Sequence, residues 1–227
     1  MRQIEHIAIL WGMLCLHCGR FSDELLCPIC SGELDGQSYE KRFPTRCPIC
    51  ARPLQDRAYP CRFCLKGLQA YGSYTGIVSA LLNQYKAGEE KVMAKVLAPL
   101  LVPMLAKIEK PLLIPVPASR KSLSERGFDQ MVLICKLLKR REGYPFLRVF
   151  SQKGESQSKF LSLEERVHRH SLSLLPLDKK VAQYGKEGYT FVLLDDICTT
   201  GSTLATCSSL LSERYEISVC SLVIALV

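Results

Sequence analysis

FVLLDDICTTGST, residues 191–203, joins an apolar run to two adjacent carboxylates and then to a hydroxyl-rich bend around Gly201. Residues 191–194 have the pattern of a short buried strand, with Asp195 and Asp196 at its carboxyl end. STLATCSSLLSE, from Ser202 onward, has the spacing of a helix. In open α/β sheets, ligands bind outside that strand edge. A helix start attracts an anion through its free backbone N–H groups and the positive end of its dipole, and a glycine at the bend lets the main chain come close. Thr199, Thr200, Ser202 and Thr203 add hydroxyl donors. Two carboxylates would repel the same anion, so their own partners are the vicinal hydroxyls of a ribose, or a metal ion. Together the parts fit a ribose 5-phosphate. An ordinary strand–turn–helix connection, with Asp in the turn and Ser as a cap, accounts for single residues but not for the whole string. A P-loop is excluded, because no Gly-Lys-Ser/Thr follows a glycine-rich loop.

Outward from this string, strands and helices alternate from about Gln69 to the end of the chain. QAYGSY reads as a strand. TGIVSALLNQYKAG reads as a helix, with Ile77, Val78, Leu81, Leu82 and Tyr85 on one face. EEKVMAKVLAPLLVPML is helical in pattern, but Pro99 and Pro103 should kink or break it. PLLIPV, FLRVFS, FVLLDD and ISVCSLVIALV read as strands, and FDQMVLICKLLKR and TLATCSSLLSE as helices. That alternation implies an α/β fold with a mainly parallel sheet.

The chain has 227 residues, 48% of them hydrophobic, which is enough for one good core plus a small module. No apolar run reaches the roughly 20 residues needed to span a bilayer, so membrane insertion is not expected. The start, MRQIEHIAILWGML, carries Glu5 and His6 within its apolar stretch and lacks a small-residue cleavage site. It reads as an amphipathic first helix docked on a core, in a cytoplasmic protein.

Twelve cysteines without an export signal point to metal rather than to disulfides. Cys15/Cys18, Cys27/Cys30, Cys47/Cys50 and Cys61/Cys64 form four CxxC pairs before residue 65. Each pair presents two thiolates to one tetrahedral ion, so eight ligands imply two structural Zn2+ ions; iron–sulfur ligation uses the same thiolates. CLHCGRFSDELLCPIC and CPICARPLQDRAYPCRFC repeat one arrangement, and both sequential and crossed pairing of the knuckles satisfy the spacing. Such a region buries little apolar surface by itself, and metal ligation supplies the missing folding energy. With nine Lys/Arg against seven Asp/Glu over residues 1–70, the module is too balanced to argue for DNA, which favours a scaffold role. The domain organisation expected is residues 1–68 for the first helix and double zinc ribbon, and residues 69–227 for the α/β domain.

A second candidate segment is LIPVPASRKSLSERGFDQ, in which a strand ends at Pro117 and a basic loop follows. Residues 120–169 hold twelve Lys/Arg against six Asp/Glu. Arg120, Lys121, Arg126 and Arg166 suit an anionic ligand. KLLKRR also suits a nucleic-acid track, or the solvated end of a helix whose dipole favours cations.

The string of residues 191–203 resembles the 5-phosphoribosyl 1-diphosphate (PRPP) signature of type I phosphoribosyltransferases. The resemblance implies that Asp195 and Asp196 hold the ribose 2′- and 3′-hydroxyls, and that Thr199, Thr200, Gly201, Ser202 and Thr203 wrap the 5-phosphate. By the same resemblance Ala118, Ser119, Arg120 and Lys121 form the diphosphate loop, and Mg2+ accompanies PRPP. A closer resemblance is to the ComF/GntX family of competence-related proteins, which joins a cysteine ribbon to a phosphoribosyltransferase-like domain. Four landmarks carry it in order: the doubled CxxC ribbon, VPASRKSLSERGFDQ, SQSKFLSLEER and the PRPP loop. Asp129 stands where that family carries Asn. The family resemblance implies a PRPP-binding protein that assists competence and DNA uptake, with single-stranded DNA and competence-machinery proteins as partners. A transferase acting on a small acceptor and a non-catalytic PRPP sensor are the competing readings. No catalytic residue is assigned. Residues 151–168 resemble the flexible lid of the transferases.

Overall fold

The computed structural model describes residues 13–43, 45, 47, 67–87, 91–152 and 172–227. The expected first helix up to residue 12, Cys50, Cys61, Cys64, the SQSKFLSLEER landmark and most of the expected lid lie outside the described residues.

The described chain opens on an antiparallel hairpin of β1 (Met13–Leu14) and β2 (Phe21–Ser22), followed by α1 (Pro28–Gly36) and α2 (Tyr39–Arg42). The sheet begins with β3 (Leu68–Ser73), and α3 (Gly76–Ala87) follows with the five expected residues buried. Pro99 and Pro103 act as expected. The next stretch is divided into a 3-10 turn (Lys91–Met93), α4 (Ala94–Leu97), a second 3-10 turn (Ala98–Leu101) and α5 (Val102–Leu105). β4 (Pro111–Pro115), α6 (Arg120–Arg126) and α7 (Gln130–Glu142) come next. A small antiparallel ribbon, β5 (Phe150–Gln152) with β6 (Leu172–Leu174), then precedes α8 (Asp178–Lys186), β7 (Thr190–Cys198), α9 (Ser202–Arg214) and β8 (Val219–Leu226).

The four strands of the main sheet are all parallel and lie in the order β3-β8-β7-β4. Both faces are covered, which explains why these strands read as unbroken apolar runs rather than as alternating ones. Val192 and Leu194 pack with Leu113, Leu222 and Ile224 beneath α3, α4 and α7. Phe191 and Leu193 pack with Leu112, Ile114 and Val223 beneath α9. All four side chains of residues 191–194 are fully buried, and each contributes about 1.5–3 kcal/mol relative to exposure.

Three elements depart from the sequence reading. β7 continues through the acidic pair to Cys198, because its pairing with β8 persists at Asp195↔Val223, Ile197↔Ala225 and Cys198↔Leu226. FLRVFS does not add a full strand to the main sheet. It touches the outer edge of β4 through the Leu113↔Phe146 bridge and then turns away to pair with β6. The basic loop after Pro117 is helical from Arg120, because Ser119 caps α6 by accepting from the Ser122 N–H at 3.1 Å.

The cysteine-rich segment lies along the free edge of β3. Ser38 bridges Gly72 in antiparallel fashion, Tyr71 Oη donates to Leu34 O at 2.6 Å, and Tyr39 Oη lies 3.0 Å from Ser73 Oγ. Gly72 is required by this approach, since a Cβ there would lie 2.7 Å from Gln37 O. The edge strand thereby gains a cover instead of an open row of backbone groups. Cys15, Cys27, Cys30 and Leu34 belong to the same buried cluster as α3 and α7.

Candidate functional site

At the carboxyl ends of β4 and β7 a cavity of about 470 Å³ opens, lined by Asp195, Asp196 and Thr203 on one side and by Pro117, Ala118 and Ser119 on another. Residues separated by some eighty positions in the chain meet here because β4 and β7 are paired neighbours, with Pro115 opposite Leu194. Lys86, Ser122, Arg126, Asp129, Gln130, Gln152 and Leu172 complete most of the remaining wall.

The bend after β7 has the form its sequence requires. Gly201 sits at φ 78°, the left-handed region that glycine enters without a Cβ clash, and α9 starts at the next residue. Thr200 and Ser202 brace the bend: Thr200 Oγ1 donates to Ser202 Oγ at 3.1 Å, and the Ser202 N–H donates to Thr200 Oγ1 at 3.3 Å. Thr199, Thr200 and Ser202 are exposed, Gly201 is buried and Thr203 is half-buried. The N–H groups of Thr203 and Leu204 fall in the first helical turn, where no carbonyl of the helix reaches them.

The acidic pair is uneven. Asp196 is buried and forms an ion pair with Lys86, Nζ to Oδ1 at 3.2 Å. Asp195 is half-buried, and its Oδ1 accepts from the Asp196 N–H at 2.9 Å. Burial, and then the neighbouring charge of Asp196, push the Asp195 carboxyl up to about 8.

The SERGFDQ segment is the corner between two helices. Gly127 closes α6 at φ 71°, and Asp129 caps α7 by accepting from the Val132 N–H at 3.1 Å. Asn performs the same cap, so Asp129 keeps the structural role of the residue it replaces. Phe128 packs against Tyr85, ring centroids 5.9 Å apart. Of the basic residues expected here, Arg126 lines the cavity. Arg120 does not: its Nη2 donates to Gln152 O at 3.3 Å. Lys121 is likewise outside, on the exposed side of α6, 3.9 Å from Glu125. Lys86 and Gln152 were not anticipated. A lysine in the last turn of a helix is ordinary in sequence, and only the packing of α3 brings Lys86 to Asp196.

A second constellation lies in the cysteine-rich segment. The sulfur atoms of Cys15, Cys18, Cys27 and Cys30 all lie within 4.8 Å of one another, and Cys18 and Cys27 are 3.7 Å apart. Four thiolates around one zinc at about 2.3 Å would stand roughly 3.8 Å apart, so the donor set fits a tetrahedral ion. The first knuckle is a hairpin turn, with the Gly19 N–H donating to Cys15 O at 3.0 Å and Gly19 at φ 70°. The second opens a helix: Cys27 is the N-cap of α1, and Pro28 occupies the first helical position. Burial raises the Cys15 thiol, but the backbone N–H groups of Cys18 and Cys27 outweigh it and bring it down to about 6. The Cys30 backbone N–H lowers Cys27 in the same way. Cys15 and Cys27 thus carry the thiolate character that suits a zinc ion, while burial pushes the Cys30 thiol up. Two consecutive CxxC pairs are thus brought together as one set of four donors that could hold a metal ion. Cys47 is buried, and its expected partners lie outside the described residues.

No helix among the described residues is long and apolar enough to cross a membrane. No family model matches the chain. Competence protein ComFC of Bacillus subtilis (strain 168) is 33% identical over 102 residues, covering 45% of this chain and 38% of that protein. The resemblance to the ComF/GntX family carried by the sequence landmarks and this similarity point the same way: the chain is similar to ComFC over a stretch spanning 38% of that protein's length.

Proposed function

We propose that the chain is a ComF-like, competence-related protein that binds PRPP in the cavity at the carboxyl ends of β4 and β7. The observation that supports this most is the convergence of Asp195, Asp196 and Thr203 with Ala118 and Ser119 on one polar cavity. In this reading the acidic pair accepts the ribose 2′- and 3′-hydroxyls. With Asp195 Oδ1 engaged by the Asp196 N–H and Asp196 Oδ1 by Lys86, the two Oδ2 atoms remain for the sugar. Residues 199–203 wrap the 5-phosphate, using hydroxyls and the N–H groups at the start of α9. Of the segment of Ala118, Ser119, Arg120 and Lys121, the first two border the diphosphate and the two cations stand outside the cavity wall.

Mg2+ suits this donor set, because Asp195 and Asp196 are hard oxygen ligands, and when bound it would neutralise part of the diphosphate charge. Zinc on Cys15, Cys18, Cys27 and Cys30 is structural, and we place a second zinc on Cys47, Cys50, Cys61 and Cys64. We assign the protein to the cytoplasm, with single-stranded DNA and competence proteins as partners. Residues 1–68 form the zinc module and residues 69–227 the ligand-binding domain.

Titration calorimetry of PRPP with Mg2+ tests the site. Asp195→Asn together with Asp196→Asn removes the two carboxyl groups that receive the sugar hydroxyls, so affinity should fall by about 10- to 100-fold with the fold intact by circular dichroism. An unchanged dissociation constant would refute the assignment. Release of pyrophosphate with an added base would make the protein a transferase, whereas binding without release would make it a sensor. Retardation of single-stranded DNA that collapses with rising salt is the expected sign of the nucleic-acid role.

A further inference from the structure

We propose that Lys86 and Arg126, held in place by the buried amide of Gln130, receive the second anionic group of the cavity's ligand. The identity of that group as a diphosphate rests on the PRPP reading above. Among the described residues that line the cavity, the cations are these two. Arg120 and Lys121, the more conspicuous pair in sequence, are turned elsewhere; the Lys121 side chain is 86% exposed.

Gln130 is only 4% exposed, and a buried amide must find partners for both its ends. Its Nε2 donates to Tyr85 O at 2.8 Å, and its Oε1 accepts from Arg126 Nη1. The fully buried Tyr85 returns the contact, its Oη donating to Gln130 O at 2.8 Å. One side chain thus ties the end of α3 to the start of α7. Because Lys86 follows Tyr85 directly, the same contact fixes where both cations emerge. Arg126 Nε donates to Ser122 O at 3.0 Å, and Nη2 has no acceptor among the described residues.

Lys86 is engaged with Asp196, but at a cavity wall and with a third of its side chain exposed. A ribose hydroxyl arriving at Asp196 would share that carboxylate just where an anionic group enters, so the ammonium can turn toward the ligand while remaining beside Asp196. Gln130 is a positioning residue in this scheme, and Lys86 and Arg126 are the groups that touch the ligand.

The test titrates PRPP, ribose 5-phosphate and inorganic pyrophosphate, each with Mg2+, into the full zinc-loaded chain. Lys86→Met should weaken PRPP and pyrophosphate by about 10- to 100-fold and ribose 5-phosphate several-fold less, the part common to all three being the lost ion pair with Asp196, and Lys86→Arg should restore most of the loss. Arg140→Ala, which removes a cation from the exposed end of α7, should leave all three unchanged. Arg126→Met should mirror Lys86→Met. Because it also strands Gln130 Oε1, its thermal unfolding is measured alongside, and Lys86→Met remains decisive should Arg126→Met not fold. A PRPP-to-ribose 5-phosphate preference unaltered in Lys86→Met, or lost in Arg120→Ala instead, would overturn the proposal. Pyrophosphate that binds the native chain and is lost in Lys86→Met, with neither sugar phosphate bound, would uphold the anion site and reject the PRPP reading.

Discussion

The cysteine cluster and the carboxyl-edge cavity are built in opposite ways. Four thiols gather within 4.8 Å from a stretch of sixteen residues, so the site depends on two turns and little else. The cavity draws on α3, the loop after β4, the α6–α7 corner, the β5–β6 ribbon and the end of β7, which meet only once the sheet is ordered β3-β8-β7-β4. The first site is a local cluster that could hold a metal ion, and the second needs the whole fold. The two are joined along the edge of β3, where Ser38 pairs with Gly72 and Tyr71 donates to Leu34 O, and through the buried cluster that Cys15, Cys27, Cys30 and Leu34 share with α3 and α7.

Removing the metal should separate the two regions most sharply. Cys27→Ser, or treatment with a strong chelator, deletes ligation that contributes most of the module's folding free energy. Hydrogen exchange should accelerate throughout residues 13–43, reach β3 to a smaller extent, and leave β4 and β7 protected. Exchange in β4 and β7 rising together with the module would show one cooperative unit and erase the contrast.

The same difference explains what could be read from the sequence. CxxC spacing is a local property, so the candidate donors Cys15, Cys18, Cys27 and Cys30 were legible, and the structure gathers these two consecutive pairs into one cluster. The strand–bend–helix around Gly201 was legible for the same reason, since its apolar run, αL glycine and helix spacing lie within a few residues. Lys86 and Gln152 were not, because nothing near them in the chain marks them; their roles come from tertiary packing. The α6 helix was hidden by its composition. RKSLSER has one apolar residue, Leu123, and buries none, so no apolar face announced it, and the Ser119 cap and the Gly127 stop were the local signals. α8 escaped similarly, with Val181 its single buried residue.

A smaller perturbation addresses the joint itself. Gly72→Ala would place a Cβ 2.7 Å from Gln37 O, a backbone atom that moves only if the whole segment moves. We expect a loss of about 1–3 kcal/mol, seen as a fall of a few degrees in Tm, with zinc content and cavity binding retained. If Gly72→Ala instead abolished ligand binding, the two regions would be energetically one site, and the separation drawn here would fail.

The least disruptive probe is pH, read on the cavity through the titration of Asp195. In the ligand-free protein Asp195 is held up at about 8, against an ordinary value of 3.8, so between those limits the folded chain keeps a proton that the unfolded chain releases. Stability is therefore greatest at the acidic end of that window and declines as pH rises toward about 8. Asp195→Asn cannot ionise and should flatten the decline, leaving a Tm that changes little between about pH 5 and pH 8, whereas the native chain loses several degrees. A native profile that Asp195→Asn leaves unaltered would mean that the carboxylate is solvated in solution. The acidic pair would then be an ordinary strand end, and only the metal site would retain a strained charge environment.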